Sequence, residues 1–129
     1  MRRALALGII AAAVSAAAPV LAHHSGAMFE ETKTITVEGV VKQFQYTNPH
    51  SWLLVDVKGK DGKVTTWGFE AEGPTTLQRA GIRPSDFPAG TKITITGRPM
   101  KDGTSAATWE VAVRGDGKKF NPREGFLVK

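Results

Sequence analysis

Thr34-Ile35-Thr36-Val37-Glu38-Gly39-Val40-Val41-Lys42-Gln43-Phe44-Gln45-Tyr46 is the stretch whose reading decides the fold. Its β-branched and aromatic residues favour strand, and Ile35 and Val37 alternate with polar partners. Beyond Gly39 the apolar beat shifts to Val40, Phe44 and Tyr46. A glycine at such a phase change predicts a bulge or bend, by which one long strand serves two sides of a barrel.

Working outward, Ser51 to Val57 alternates Leu53, Val55 and Val57 against Trp52, Leu54 and Asp56. A polar turn centred on Asp61-Gly62 returns the chain through Val64 to Glu70, with Trp67 and Phe69 on one face, which reads as a hairpin. Gly73 to Gly81 reads as one short helix, with Pro74 at its start and glycine at its end. Thr91 to Gly97 and Ala106 to Val113 supply two further alternating runs, and Phe126-Leu127-Val128 offers a short edge strand. The order β-β-β-α-β-β predicts an all-β fold, a small five-stranded OB-like barrel with one short helix between strands 3 and 4. In such barrels ligands meet the face of strands two and three and the loops joining strands one to two and four to five. Thr47 to His50 falls in the first of those loops and Met100 to Ser105 in the second.

Upstream, Met1 to Ala22 has a basic start (Arg2, Arg3), an apolar stretch and small residues at Val20 and Ala22. That is the anatomy of a secretory signal peptide. The expected organisation is therefore a signal over residues 1–22 and a single OB-like β-barrel domain over 23–129, periplasmic or secreted. A domain of that length buries roughly two-thirds of its unfolded surface. The chain has no cysteine, so neither a disulfide nor a lipidated N-terminal cysteine is available. No second apolar stretch of about 18 residues exists, which excludes a membrane span after processing. The formal charge of +5 includes Arg2 and Arg3, so part of the basic balance leaves with the signal and a nucleic-acid argument from charge alone weakens.

The chain has three histidines, His23, His24 and His50. Cleavage after Ala22 makes His23 the first residue, whose α-amine and imidazole form a two-nitrogen chelate that His50 can complete. Imidazole suits copper, nickel and zinc, and copper(II) heads the affinity order for nitrogen donors. His24 is an auxiliary ligand, and Met28 a soft donor for copper(I). Cleavage one residue earlier puts a histidine third in Ala22-His23-His24, and amine, two amides and imidazole then make a square-planar site without His50. The bland alternative is a solvated terminus and a loop histidine bonded to backbone.

A second candidate surface gathers Tyr46, Asn48, Trp52, Trp67 and Glu70. Asn48-Pro49 is a turn signal that presents His50 and Trp52. Trp52 and Trp67 with Tyr46 form either an aromatic platform for a ligand or ordinary core. Glu70 and Glu72 read as hard metal ligands, as an acid/base pair, or as solvated strand-end carboxylates. No Ser/His/Asp arrangement or phosphate-cradling glycine loop accompanies them, so the chain does not read as an enzyme; a copper oxidative activity would need a substrate groove that no motif marks. The two functional expectations are a histidine site for a transition metal, copper first, and a non-metal ligand- or protein-binding module of the cell envelope.

The chain resembles a family of small exported bacterial proteins of unknown function. The matching residues are Ala22-His23-His24-Ser25, Val37 to Val41, Thr47-Asn48-Pro49-His50-Ser51-Trp52, Val55-Asp56-Val57, Trp67-Gly68-Phe69-Glu70 and Gly90 to Gly97. The HHS and NPHxW elements are the most specific of these. The resemblance implies an exported OB-like barrel and implies no activity.

Overall fold

A computed structural model describes residues 26–127 of the chain. Among them a 3-10 turn, Gly26–Met28, precedes β1 (Ile35–Gln45), β2 (His50–Lys58), β3 (Val64–Glu72), α1 (Pro74–Arg79), β4 (Lys92–Gly97), β5 (Ala106–Thr108), β6 (Val111–Arg114) and β7 (Lys119–Phe120). These seven described strands form one sheet in the order β5-β3-β2-β1-β4-β6-β7, antiparallel throughout except for the parallel pair β3 and β5. The all-β expectation holds, as does the single short helix between the third and fourth strands. The closed five-stranded barrel does not: the sheet is open and carries two additional strands.

The long first strand serves two neighbours. Ile35 to Val40 pairs with β4, and Val40 to Gln45 pairs with β2, so Val40 is where the strand changes partners. The register slip falls between Val41 and Gln43 and not at Gly39. Gly39 has a different job: a Cβ there would run into the Asp56 carbonyl and stand 2.8 Å from Val55 Cγ1. The phase change in sequence thus marks a close crossing of strands, with the bulge a turn of the pleat later.

β2 and β3 form the expected hairpin, with Gly62 at φ 80° and Gly59 N–H donating to the Lys63 carbonyl at 2.8 Å. Ser51, Leu53 and Val55 are buried on one face of β2, opposite Ala71, Phe69 and Trp67 of β3. Against this face lie Leu77 of α1, Ile82, and an aromatic cluster in which Phe87 stands 5.7 Å from Phe44, 5.3 Å from Trp109 and 4.7 Å from Phe120. The Tyr46 hydroxyl lies 3.1 Å from the Pro74 carbonyl and 3.0 Å from that of Ile82, tying both ends of the helical segment to β1.

The expected single run from Ala106 to Val113 is two strands. Trp109 N–H donates to the Glu70 carbonyl at 2.7 Å, whereas Glu110 N–H donates to the Thr96 carbonyl at 3.0 Å, so the chain leaves β3 for β4 between these residues. Between β4 and β5 the connection is an isolated bridge, Pro99 to Ala107, with Thr108 N–H donating to the Arg98 carbonyl at 2.9 Å. The expected edge strand at Phe126 to Val128 is also corrected. Pro122–Phe126 is a 3-10 turn capped by the Asn121 side chain, and Val128 lies outside the described residues. None of the described helices is long and apolar enough to cross a membrane.

Candidate functional site

Strand register gathers the site. His50 faces Glu72 across β2 and β3, and Trp52 faces Glu70. Opposed residues share a face and neighbours alternate, so His50, Trp52, Glu70 and Glu72 lie on the side of the hairpin away from Leu53 and Phe69. His50 and Glu70 are diagonal neighbours, and His50 Nδ1 stands 3.1 Å from Glu70 Oε1. The imidazole keeps 27% of its exposure and the carboxylate 7%.

The approach to His50 is held locally. Thr47 Oγ1 donates to the His50 carbonyl at 3.0 Å, and Thr47 N–H donates to Ser51 Oγ at 3.2 Å, with Ser51 fully buried. Asn48-Pro49 is a cis peptide, and Asn48 Oδ1 packs where a Cβ on Gly73 would stand 2.7 Å away. Asn48 therefore joins the loop to the start of α1. His50 itself begins β2 and is not the loop residue expected, which fixes its backbone in the ladder opposite Glu72.

The pair opens onto a pocket of about 190 Å³ whose walls include Gly26, Phe29, Glu72, Arg98, Trp109 and Arg123. Both arginines approach the same carboxylate: Arg98 Nε is 3.3 Å and Arg123 Nη2 3.9 Å from Glu110 Oε1. Trp109 presents a buried indole N–H that has no hydrogen-bond partner among the described residues. Glu70, expected as a solvated strand-end carboxylate or a ligand, is buried at 8% exposure.

The aromatic platform is not assembled. Trp67 pairs with Val55 on the core face and stacks on Phe69 at 6.3 Å, whereas Trp52 lies on the other face across Gly68, whose Cβ would stand 3.2 Å from the indole Cε3. Tyr46 is committed to the Pro74 and Ile82 carbonyls. Its hydroxyl is pushed up from the ordinary phenol value, first by partial burial, with nearby Arg83 opposing and Asp86 adding to the rise.

Among the described residues no group of three or more His, Asp or Glu side chains is arranged to hold a metal ion. His50 and Glu70 are a single pair and not such a group. His23 and His24, and the whole signal segment 1–22, lie outside the described residues. Gly26, two residues after His24, is part of the pocket wall. Sequence reasoning missed Phe29, Arg98, Trp109 and Arg123 as neighbours of His50. They reach the pocket from four separated segments, and only the apolar Phe29, close after the histidine pair, gave any local signal.

Fold and site together define a small all-β protein with a histidine–carboxylate pocket beside the N-terminal end of its described chain. Residues 11–112 match the model of a family of unknown function, DUF6152, and the chain belongs to that family. The matched span takes in His23, His24, His50 and Glu70. No curated protein and no solved structure matches the chain.

Proposed function

We propose that this is an exported, non-enzymatic protein that binds a transition metal, copper(II) first, through His50 with His23 and His24. The observation that carries the reading is the His50–Glu70 pair, 3.1 Å apart, in a pocket walled by Gly26. A carboxylate at Nδ1 fixes ring orientation and tautomer and leaves Nε2 as the donor, the usual outer arrangement of a metal-bound histidine. Two residues of chain reach at most about 7 Å, so His24 is tethered within a short span of the pocket wall. Signal cleavage after Ala22 adds the α-amine of His23, and an amine with imidazoles suits copper(II) among the divalent ions. Periplasmic or extracellular location follows from the signal reading.

The order of the first five strands around α1, and the parallel pairing of β3 with β5, support calling the connectivity OB-like. The alternative, an envelope module binding a non-metal ligand on its aromatic face, has less support because Trp52 and Trp67 stand on opposite sides of the sheet.

The test uses the processed protein recovered after export. Metal analysis should find one copper(II) per chain, with nitrogen hyperfine structure in the electron paramagnetic resonance spectrum, and His50→Ala should lose the tight site. Absence of stoichiometric copper, or binding that survives replacement of both His23 and His50, overturns the proposal.

A further inference from the structure

The pocket beside His50 has two chemically different sides. In the ladder Glu72 faces His50 and Glu70 faces Thr108, so the β3 carboxylates lie between the imidazole and the threonine. Beyond Thr108 comes Arg98, whose N–H donates to Thr108 Oγ1 at 2.9 Å and whose carbonyl accepts from Thr108 N–H at 2.9 Å. Glu70 and Glu72 thus line the β3 side, and Arg98 and Arg123 line the rest of the polar wall. Phe29, 3% exposed with its backbone bridged to Met100, and Pro122 supply apolar surface.

The basic side holds donors in excess of acceptors. Trp109 is 2% exposed and its ring meets Phe87 edge-on at 5.3 Å, while its indole N–H, which can only donate, has no hydrogen-bond partner among the described residues. Arg98 Nε is in the same condition: Glu110 Oε1 stands 3.3 Å away, close enough for charge pairing but without the geometry of a hydrogen bond. The Thr108 hydroxyl accepts from Arg98 and still has its own hydrogen to give. Buried donors are costly without acceptors, and a carboxylate offers acceptor oxygens to several at once. On the other side Glu72, partly exposed, makes no ion pair among the described residues. Two guanidiniums are therefore offset by two carboxylates, so a plain anion gains little net attraction, whereas a molecule carrying both charges meets each with its opposite. At about 190 Å³ the space lies below the ~300–1,000 Å³ of drug-sized sites.

We propose that this pocket binds a small zwitterion, a free α-amino acid with a short apolar side chain, its carboxylate at Trp109, Thr108 and Arg98 and its ammonium at Glu72. The site is built from described residues alone and stands whether or not a metal binds His50.

The experiment is calorimetric titration of the exported protein in EDTA, so that no bound metal contributes. L-Alanine should bind, and propionate and ethylamine, which each lack one of its charged groups, should bind at least about tenfold more weakly. Trp109→Phe keeps an aromatic ring and removes the N–H, and should weaken L-alanine about fivefold; Arg98→Gln should weaken it about tenfold. Glu72→Gln should weaken L-alanine while leaving propionate unchanged or tighter, the opposite of what a simple anion site gives. Arg98→Gln and Glu72→Gln decide the matter if Trp109→Phe fails to fold. No binding of L-alanine, either half-molecule binding as tightly as L-alanine, or affinity insensitive to Arg98→Gln and Glu72→Gln overturns the proposal and leaves the metal reading intact. Absence of copper from the untreated protein overturns only the metal reading.

Discussion

Glu70 is a carboxylate with 8% of its surface exposed, set diagonally from an imidazole on the adjacent strand. In the metal-binding reading its work is to hold His50 Nδ1 and raise the basicity of the ring, and loss of such a partner typically costs 10- to 100-fold in metal affinity, roughly. Glu70→Gln keeps the shape and one acceptor oxygen while removing the charge. It should therefore weaken copper(II) binding by about tenfold, near the lower end of that range, with little change in thermal midpoint; competition titration and a melting curve check the two halves. The sequence marks His50 by its rarity and Glu70 by its place at a strand end, but not that they meet. That depends on the register of β2 on β3, which a hairpin's turn residues constrain only through its loop geometry.

At the scale of elements, the hairpin from β6 to β7 is closed by a two-point ion pair. Arg114 Nη2 lies 2.7 Å from Asp116 Oδ2, and Arg114 Nε 3.0 Å from Asp116 Oδ1. The side-chain hydrogen bonding from Arg114, followed by the Lys118 backbone N–H, brings the Asp116 carboxyl down to about 2. A depressed carboxyl contributes stability above its ordinary value near ~4 and loses it as pH falls through the folded value. The difference in thermal midpoint between the protein and Asp116→Asn should thus be constant at neutral pH and vanish below about pH 2. Calorimetry across that range checks it, and the group's exposure to solvent keeps the effect small. The same region shows where reading by pattern stops. Ala106 to Val113 alternates without a glycine or proline, so nothing local announces the change of partner at Trp109 and Glu110; it follows from which strand's carbonyl accepts each N–H, Glu70 for Trp109 and Thr96 for Glu110. The helix, by contrast, was legible because Pro74 and Gly81 punctuate it locally.

Across the whole molecule, the aromatic cluster around Phe87 joins parts that the strand order separates. Phe87 is 1% exposed and contacts Phe44 of β1, Trp109 between β5 and β6, and Phe120 of β7. Truncation there removes contacts to three parts of the sheet at once. Phe87→Ala should cost about 3–5 kcal/mol of unfolding free energy, read as a lower denaturant midpoint with an unchanged slope. The alternation that made each strand legible put Leu53 with Val55 and Trp67 with Phe69 on common faces, and Leu53, Val55 and Phe69 are buried. It did not show that the sheet stays open, because closure is decided by how far edge strands pair and not by which residues point inward. Met28 to Glu30 form a strap along Pro99 to Lys101, with Glu30 N–H donating to the Pro99 carbonyl and Lys101 N–H to the Met28 carbonyl. It is held by backbone bonds to a segment some seventy residues away, at the low end of local stability, so Glu30 and Lys101 amides should exchange with solvent through brief local opening while those of β2 wait for global unfolding. The opening that frees those amides also disturbs the pocket wall that Phe29 supplies. Exchange of those amide protons and opening of the pocket wall then keep the same clock.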